Sequence, residues 1–357
     1  MSNKKTTVRT FDLQFWIIFI LFLIAIAYSF SLPSRLADRD LWGLSESSTS
    51  DTADTVGGLL GPIIAIAAGI LTFFAFWVQF KANEQQKLDL KIERFENKYY
   101  ELVRLHRANV EEMKVGKTLT SRKCFVHMFY ELRYIYKITE SHYETACKSE
   151  PNLYEEKVDV LELAYTIFFF GIGLNSEKHY IKLLNKEEKI LFDRIKELLG
   201  KMQDKYTDFM EKNPSATYYT HGLPASRKPD DNTIDFFYYP FDGHINKLGH
   251  YYRHLFQTAT FITEQNFLED DDRYPYFKTL RAQLSDFEQL MLYYNSLVWF
   301  GSEWKPIFVT HRLIKNLPLQ LADFYISPET LFEKEIKEAD AKGKPMFAGK
   351  RTSYAPV

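Results

Sequence analysis

The chain has 357 residues, with 45 Lys and Arg against 47 Asp and Glu for a formal net charge of −2, and an apolar fraction of 46%. Near-neutrality excludes a nucleic-acid binder that works by bulk positive charge, and the apolar content excludes a disordered charged tail. The mean hydropathy of −0.29 averages two unlike parts, because apolar residues concentrate in the first 80 positions and most of the charge follows them.

Residues 1–12 carry Lys4, Lys5 and Arg9 and read as a short polar N-terminus. From Leu13 to Ser34 run 22 uncharged residues. At 1.5 Å rise each they cross a hydrocarbon core of about 30 Å, so 13–34 is expected to be a transmembrane helix. The run is too long for the apolar core of a signal peptide, and no small-x-small cleavage site follows it. A loop, 35–54, carries Asp38, Asp40, Glu46, Asp51 and Asp54, and a second uncharged run of 26 residues follows at 55–80, with Trp77 near its end. Basic residues number three before the first run, two in the loop and five between Lys81 and Lys98, which places both termini in the cytoplasm and the loop outside. Gly57, Gly61, Ala65 and Gly69 recur every four residues and form a face on which another helix can pack closely. Neither run holds a charge, so no polar pore lining, proton relay or voltage sensor is expected.

Residues 81–118 read as a juxtamembrane helix or stalk. Leu88, Ile92, Phe95, Tyr99, Leu102, His106, Asn109 and Met113 follow alternating spacings of four and three, the seam of a coiled coil or a long packed helix. His106 and Asn109 are polar seam positions that either fix an oligomeric register or pack against the rest of the same domain. The remainder, 119–341, is expected to be a cytoplasmic all-α bundle with helices near 119–141, 152–172, 185–212, 244–268, 274–300 and 328–341. A long loop at 213–243 holds Pro214, Pro224, Pro229 and Pro240, and a flexible tail is expected at 342–357. Cys124 and Cys147 match no disulfide, metal or redox spacing and read as reduced thiols.

Signatures of the common enzymes are missing: no Gly-rich phosphate loop, HExxH, GxSxG or paired CxxC occurs. The densest polar cluster is GHINKLGHYYRHLF, in which His250 and His254 lie one helical turn apart beside Arg253, with His244 just before. Two histidines at that spacing suit a metal, but no third ligand stands nearby, so no metal and no cofactor are expected. A polar packing network, or an anion held by Arg253 and a charged histidine, fits better. Arg281, Glu288 and Asn295, each seven apart, read as one polar helix stripe among large apolar residues, with Arg281 or Glu288 meeting the His250, Arg253 and His254 cluster. Arg122 and His127, separated by four residues, match the spacing of the all-α HEPN ribonucleases, whose arginine and histidine act on RNA across a dimer.

The stretches FWVQFKANEQQ, FFFGIG at 168–173, GHINKLGHYYRHLFQTATFI at 243–262 and LRAQLSDFEQLMLYYNSL at 280–297 resemble the phage abortive infection family, the AbiC-like bacterial membrane proteins, over most of 56–300. Thr258, Ala259 and Thr260 stand where the family is more aliphatic. The resemblance implies an antiphage role, a membrane-anchored bacterial effector that stops growth or kills the infected cell before phage release; it supplies no catalytic residue. With the small-residue face, it leads to the expectation of a homo-oligomer that disrupts the membrane, with lipid and a controlling protein or nucleoprotein as partners. The rivals are a membrane-tethered ribonuclease using Arg122 and His127, and a scaffold or sensor that recruits a separate toxin. Whether nucleic acid takes part stays open at this level.

Overall fold

In the computed structural model the described residues are 20, 24, 27, 28, 31, 49–150, 157–173, 180–213, 219, 220, 235, 236 and 238–348. The first apolar run therefore lies almost wholly outside them; its five described residues are helical, with Ile20, Ile24 and Tyr28 exposed. Helix α1 runs from Thr49 to Glu112 and holds Pro62, and it contains the second apolar run. The chain divides into two compact units, Met1–Glu96 and Asn97–Val357.

In the first unit, Ile64, Ile66, Phe73, Phe76, Trp77 and Phe80 of α1 are all exposed. Among the described residues nothing besides the adjoining residues and backbone of α1 itself lies within 4 Å of where a Cβ would stand at Gly57, Gly61 or Gly69.

The second unit is mostly helical. After α1 a small hairpin pairs β1 (Lys114–Val115) with β2 (Leu119–Thr120), so the stalk ends at Glu112 and the next helix, α2 (Lys123–Ser149), starts four residues later than the apolar spacing suggests. Helix α3 (Val160–Phe170) begins where the Asp159 side chain accepts from the Glu162 N–H at 3.0 Å. Helix α4 (Lys186–Lys212) follows a capping box in which Asn185 and Glu188 satisfy each other's backbone N–H groups. Most of the expected loop 213–243 lies outside the described residues; within it β3 (Tyr219–Thr220) pairs antiparallel with β4 (Asp235–Phe236). Then come α5 (Ile245–Thr263), α6 (Asp270–Arg281), α7 (Asp286–Asn295), α8 (Trp304–His311), α9 (Pro328–Leu331) and α10 (Glu333–Ala341).

The helix expected at 274–300 is thus two helices and a 3-10 turn at Trp299–Gly301. Its break is chemical. Ser285 and Glu288 form a capping box that gives the second helix its own start, with the Ser285 N–H donating to Glu288 Oε2 at 2.8 Å. Of the expected tail, 342–348 are described: Met346 is buried and the Ala348 N–H donates to the Lys315 carbonyl at 2.7 Å.

The core forms around α2, which packs against α3, α4 and α7, while α5 packs on α3 and α6. Phe125, Phe129, Phe168, Phe192, Tyr251, Tyr293 and Tyr294 are fully buried in it. Large rings this dense keep the helices apart by a few fixed contacts; Tyr294 stacks on Phe324 at 4.0 Å between centroids.

Candidate functional site

Two stretches singled out in the sequence, FFFGIG and the start of GHINKLGHYY, meet backbone to backbone. The Ile172 N–H donates to the Phe241 carbonyl (3.1 Å) and the His244 N–H to the Phe169 carbonyl (2.9 Å). The approach is so close that a Cβ on Gly171 would stand 2.5 Å from the Asp242 carbonyl oxygen, and one on Gly243 2.5 Å from the Phe170 carbonyl carbon. Both glycines have positive φ, 82° and 88°. Only a residue without Cβ serves at either place.

This clasp is anchored by Glu131 of α2, which is fully buried. Its carboxyl group accepts from the Tyr238 hydroxyl and from the Phe241 N–H (2.8 Å), and His244 Nε2 lies 2.8 Å away. The last contact is a hydrogen bond in the tautomer that carries its proton on Nε2. Burial, and next the neighbouring Glu131, hold the Tyr238 hydroxyl far above the usual tyrosine range. His244 therefore joins a polar network, and its partner there is Glu131. A lone Glu on the apolar face of Met128, Phe129 and Leu132 was the available signal for it.

A second network joins α1, α2, α5 and α7. Glu288, fully buried, accepts from the Tyr251 hydroxyl at 3.1 Å and lies 3.5 Å from Arg122 Nε. Burial raises its pKa, against the hydrogen bond from Ser285 and the charge of Arg122. Arg122 also donates to the Gln283 carbonyl at 2.8 Å. The His106 ring packs on Tyr251 (5.2 Å between centroids) and stacks with His254 at 6.4 Å. At Tyr99 and His106 the seam is thus filled by the same chain, since the Tyr99 hydroxyl also donates to the Tyr276 carbonyl at 2.8 Å. Asn109 is half-buried.

Burial, then the charges of His254 and Arg122, push the His106 pKa down to about 4; burial also lowers that of His254. His106 is 1% exposed, and neither of its ring nitrogens has a partner among the described residues. A depressed histidine pKa means that the unfolded chain binds the proton more tightly. The stability due to a neutral His106 is therefore present above about pH 6.5 and lost as pH falls toward 4, by roughly 2 kcal/mol at pH 5. Glu288, raised, acts in the opposite sense. The His106→Leu variant is expected to lose less melting temperature than the parent between pH 7.5 and 5, by roughly 4–8 °C; equal losses in the two proteins would show that His106 does not titrate with folding.

The other candidates separate. His250 and Arg253 are exposed, because α5 turns Leu248, Tyr251, Tyr252 and Leu255 inward. Arg281, Glu288 and Asn295 do not form one stripe: Arg281 ends α6, while Glu288 and Asn295 lie at opposite ends of α7. Arg281 is buried and donates to the Arg312 carbonyl at 2.8 Å. His127 is half-buried on α2, and at 100° per residue its direction is about 140° round the helix from that of Arg122. Among the described residues no group of three His, Cys, Asp or Glu is placed to hold a metal.

Asn295 belongs to a chain of bonds that has one direction. Its Nδ2 lies 3.1 Å from the Tyr165 hydroxyl, which lies 3.4 Å from the Tyr252 hydroxyl, which donates to the Met291 carbonyl at 3.1 Å. A carbonyl only accepts, so each tyrosine donates onward and Tyr165 must accept from an N–H; this fixes the Asn295 amide with Nδ2 inward. Beside it opens a cleft of about 220 Å³ lined by Phe169, Tyr252, Phe256, Phe300 and Trp304, with Gly249, Asn295 and Gly301 at its base and Arg253 and Glu303 at its mouth.

Residues 243–321 match the family described as "Putative phage abortive infection protein". The match takes in two of the four stretches that carry the resemblance, 243–262 and 280–297, and continues through α8; the chain is similar to that family there. No curated protein and no solved structure matches the chain.

Proposed function

We propose that the chain is an abortive-infection effector inserted in the bacterial inner membrane, which stops growth or kills the cell on infection by assembling through its membrane helices. In this reading it crosses twice with both termini cytoplasmic, and the Gly57, Gly61, Ala65 and Gly69 face brings copies together. The observation that carries the reading is the apolar part of α1. From Ile64 on it is long and apolar enough to cross a membrane, none of that window is buried, and it contains no charge up to Phe80. Water would not tolerate such a surface on a monomer, whereas lipid solvates it.

The family match supports the antiphage part, and the helical unit with its polar networks serves as the element that holds or releases the membrane part. Arginines at Ala68 and Phe73, both exposed, add about 2.5–3.5 kcal/mol each to insertion. The doubly substituted chain, still anchored by the run at 13–34, is expected to fail to insert its second span, read as a changed protease accessibility of the part after Phe80, and to lose protection in a plaque assay. If the second span fails to insert and the chain still protects, the lesion mechanism fails, and loss of protection in His127→Ala would then point to RNA cleavage.

A further inference from the structure

The cleft between α5 and the Asn295–Trp304 segment has a polar base, an aromatic interior and a charged mouth, and each part is already held in place. Phe300 packs against Tyr165 and Phe169 at 5.7 and 5.2 Å between centroids, and Trp304 packs edge-on against Phe256 at 5.1 Å. Asn295 is 3% exposed, and the direction of the Tyr165–Tyr252–Met291 chain leaves its Oδ1 as an acceptor with no partner among the described residues. At the mouth Arg253 and Glu303 are exposed, and neither forms an ion pair among the described residues. Except for Phe169, every lining residue falls within the 243–321 family match.

Gly249 explains how the space stays open. A glycine inside a helix is destabilising relative to alanine, and nothing about the backbone demands one here, since its φ is not positive. A Cβ at that position would meet Ile245 and Phe169 only at 3.9 Å, so a side chain fits and would project into the cleft.

We propose that this cleft binds a nucleotide whose base carries an exocyclic amino group. A space of about 220 Å³ lies below the roughly 300 Å³ at which sites for drug-sized ligands begin, so it admits one planar ring system and leaves the rest at the mouth. A base stacks on the aromatic walls. Oδ1 of Asn295 accepts from the amino group of adenine or cytosine and opposes the carbonyl oxygen that uracil presents at the same place. The sugar then lies by Glu303, whose carboxylate accepts from its hydroxyls, and the phosphate by Arg253. Asn295, Glu303 and Arg253 each gain a partner in this arrangement, including the two opposite charges that form no ion pair among the described residues.

The site stands apart from the membrane mechanism, because its test reads binding alone. Full-length chain in lipid nanodiscs is titrated calorimetrically with AMP, CMP, UMP and L-phenylalanine, the last because a zwitterion also suits a mouth bearing Arg253 and Glu303. AMP or CMP is expected to bind at least tenfold more tightly than UMP. Gly249→Leu should abolish binding with the melting temperature unchanged or raised, and Arg253→Ala should weaken AMP at least tenfold while leaving adenosine unaffected. Binding of AMP that survives Gly249→Leu, equal binding of UMP, or binding of phenylalanine in place of all nucleotides each overturns the proposal, as does no heat from AMP or CMP at millimolar concentration.

Discussion

Gly243→Ala is expected to cost more than about 4 kcal/mol of folding stability, a large part of the ordinary margin of about 5–15 kcal/mol. Two terms add. A left-handed backbone is strained by any Cβ, by about 1–2 kcal/mol. In addition, the new atom would stand 2.5–2.7 Å from the backbone of Phe170 and Gly171, which cannot swing aside as a flexible side chain would. Gly171→Ala should behave alike, since its Cβ meets the Asp242 backbone at 2.5 Å. Because each glycine makes room for the other's strand, the double variant should cost clearly less than the sum of the singles. Denaturant melts of the full chain in detergent read this directly; a loss under about 1 kcal/mol for either single variant would mean that the two backbones do not meet this way.

Glu131→Ala is expected to be the most damaging change on α2. It leaves the Tyr238 hydroxyl, the Phe241 N–H and His244 Nε2 without their acceptor in a fully buried place. Each stranded donor costs about 1–3 kcal/mol, and a total of about 3–5 kcal/mol follows, allowing for relaxation. Glu131→Gln keeps one acceptor oxygen and should recover part of the loss, and Tyr238→Phe, which removes a donor together with its need, should cost less than either. The order Ala, Gln, Tyr238→Phe in descending loss is the informative result. A Glu131→Ala protein that melts like the parent would show that the anchor holds nothing.

Much of this was legible in the residues, for identifiable reasons. Helix α4 was expected at 185–212 and is found at Lys186–Lys212, because Asn185 and Glu188 announce its start and the chain supplies the pattern locally. The expected helix at 244–268 likewise survives as Ile245–Thr263. The break after Arg281 was hidden by apolar residues that keep helical spacing straight through it, although Ser285 and Glu288 carry the capping pattern that makes it. Helix α8 was not among the expected helices; it accommodates Pro306 because that residue falls in its first turn. The partner of His244 lies 113 residues away on α2, and no local periodicity reports a contact of that range. The Asn295 cleft was invisible for the same reason: its lining comes from a phenylalanine on α3, residues of α5, an amide on α7 and the segment that follows it.

Membrane potential bears most directly on the proposed mechanism. A voltage-sensitive dye would follow bacteria that carry the protein, before and after phage challenge and ahead of lysis, beside cells carrying the chain with arginines at Ala68 and Phe73. The predicted result is early depolarisation in the first strain and none in the second. A potential that holds while growth stops would contradict membrane damage as the cause of death.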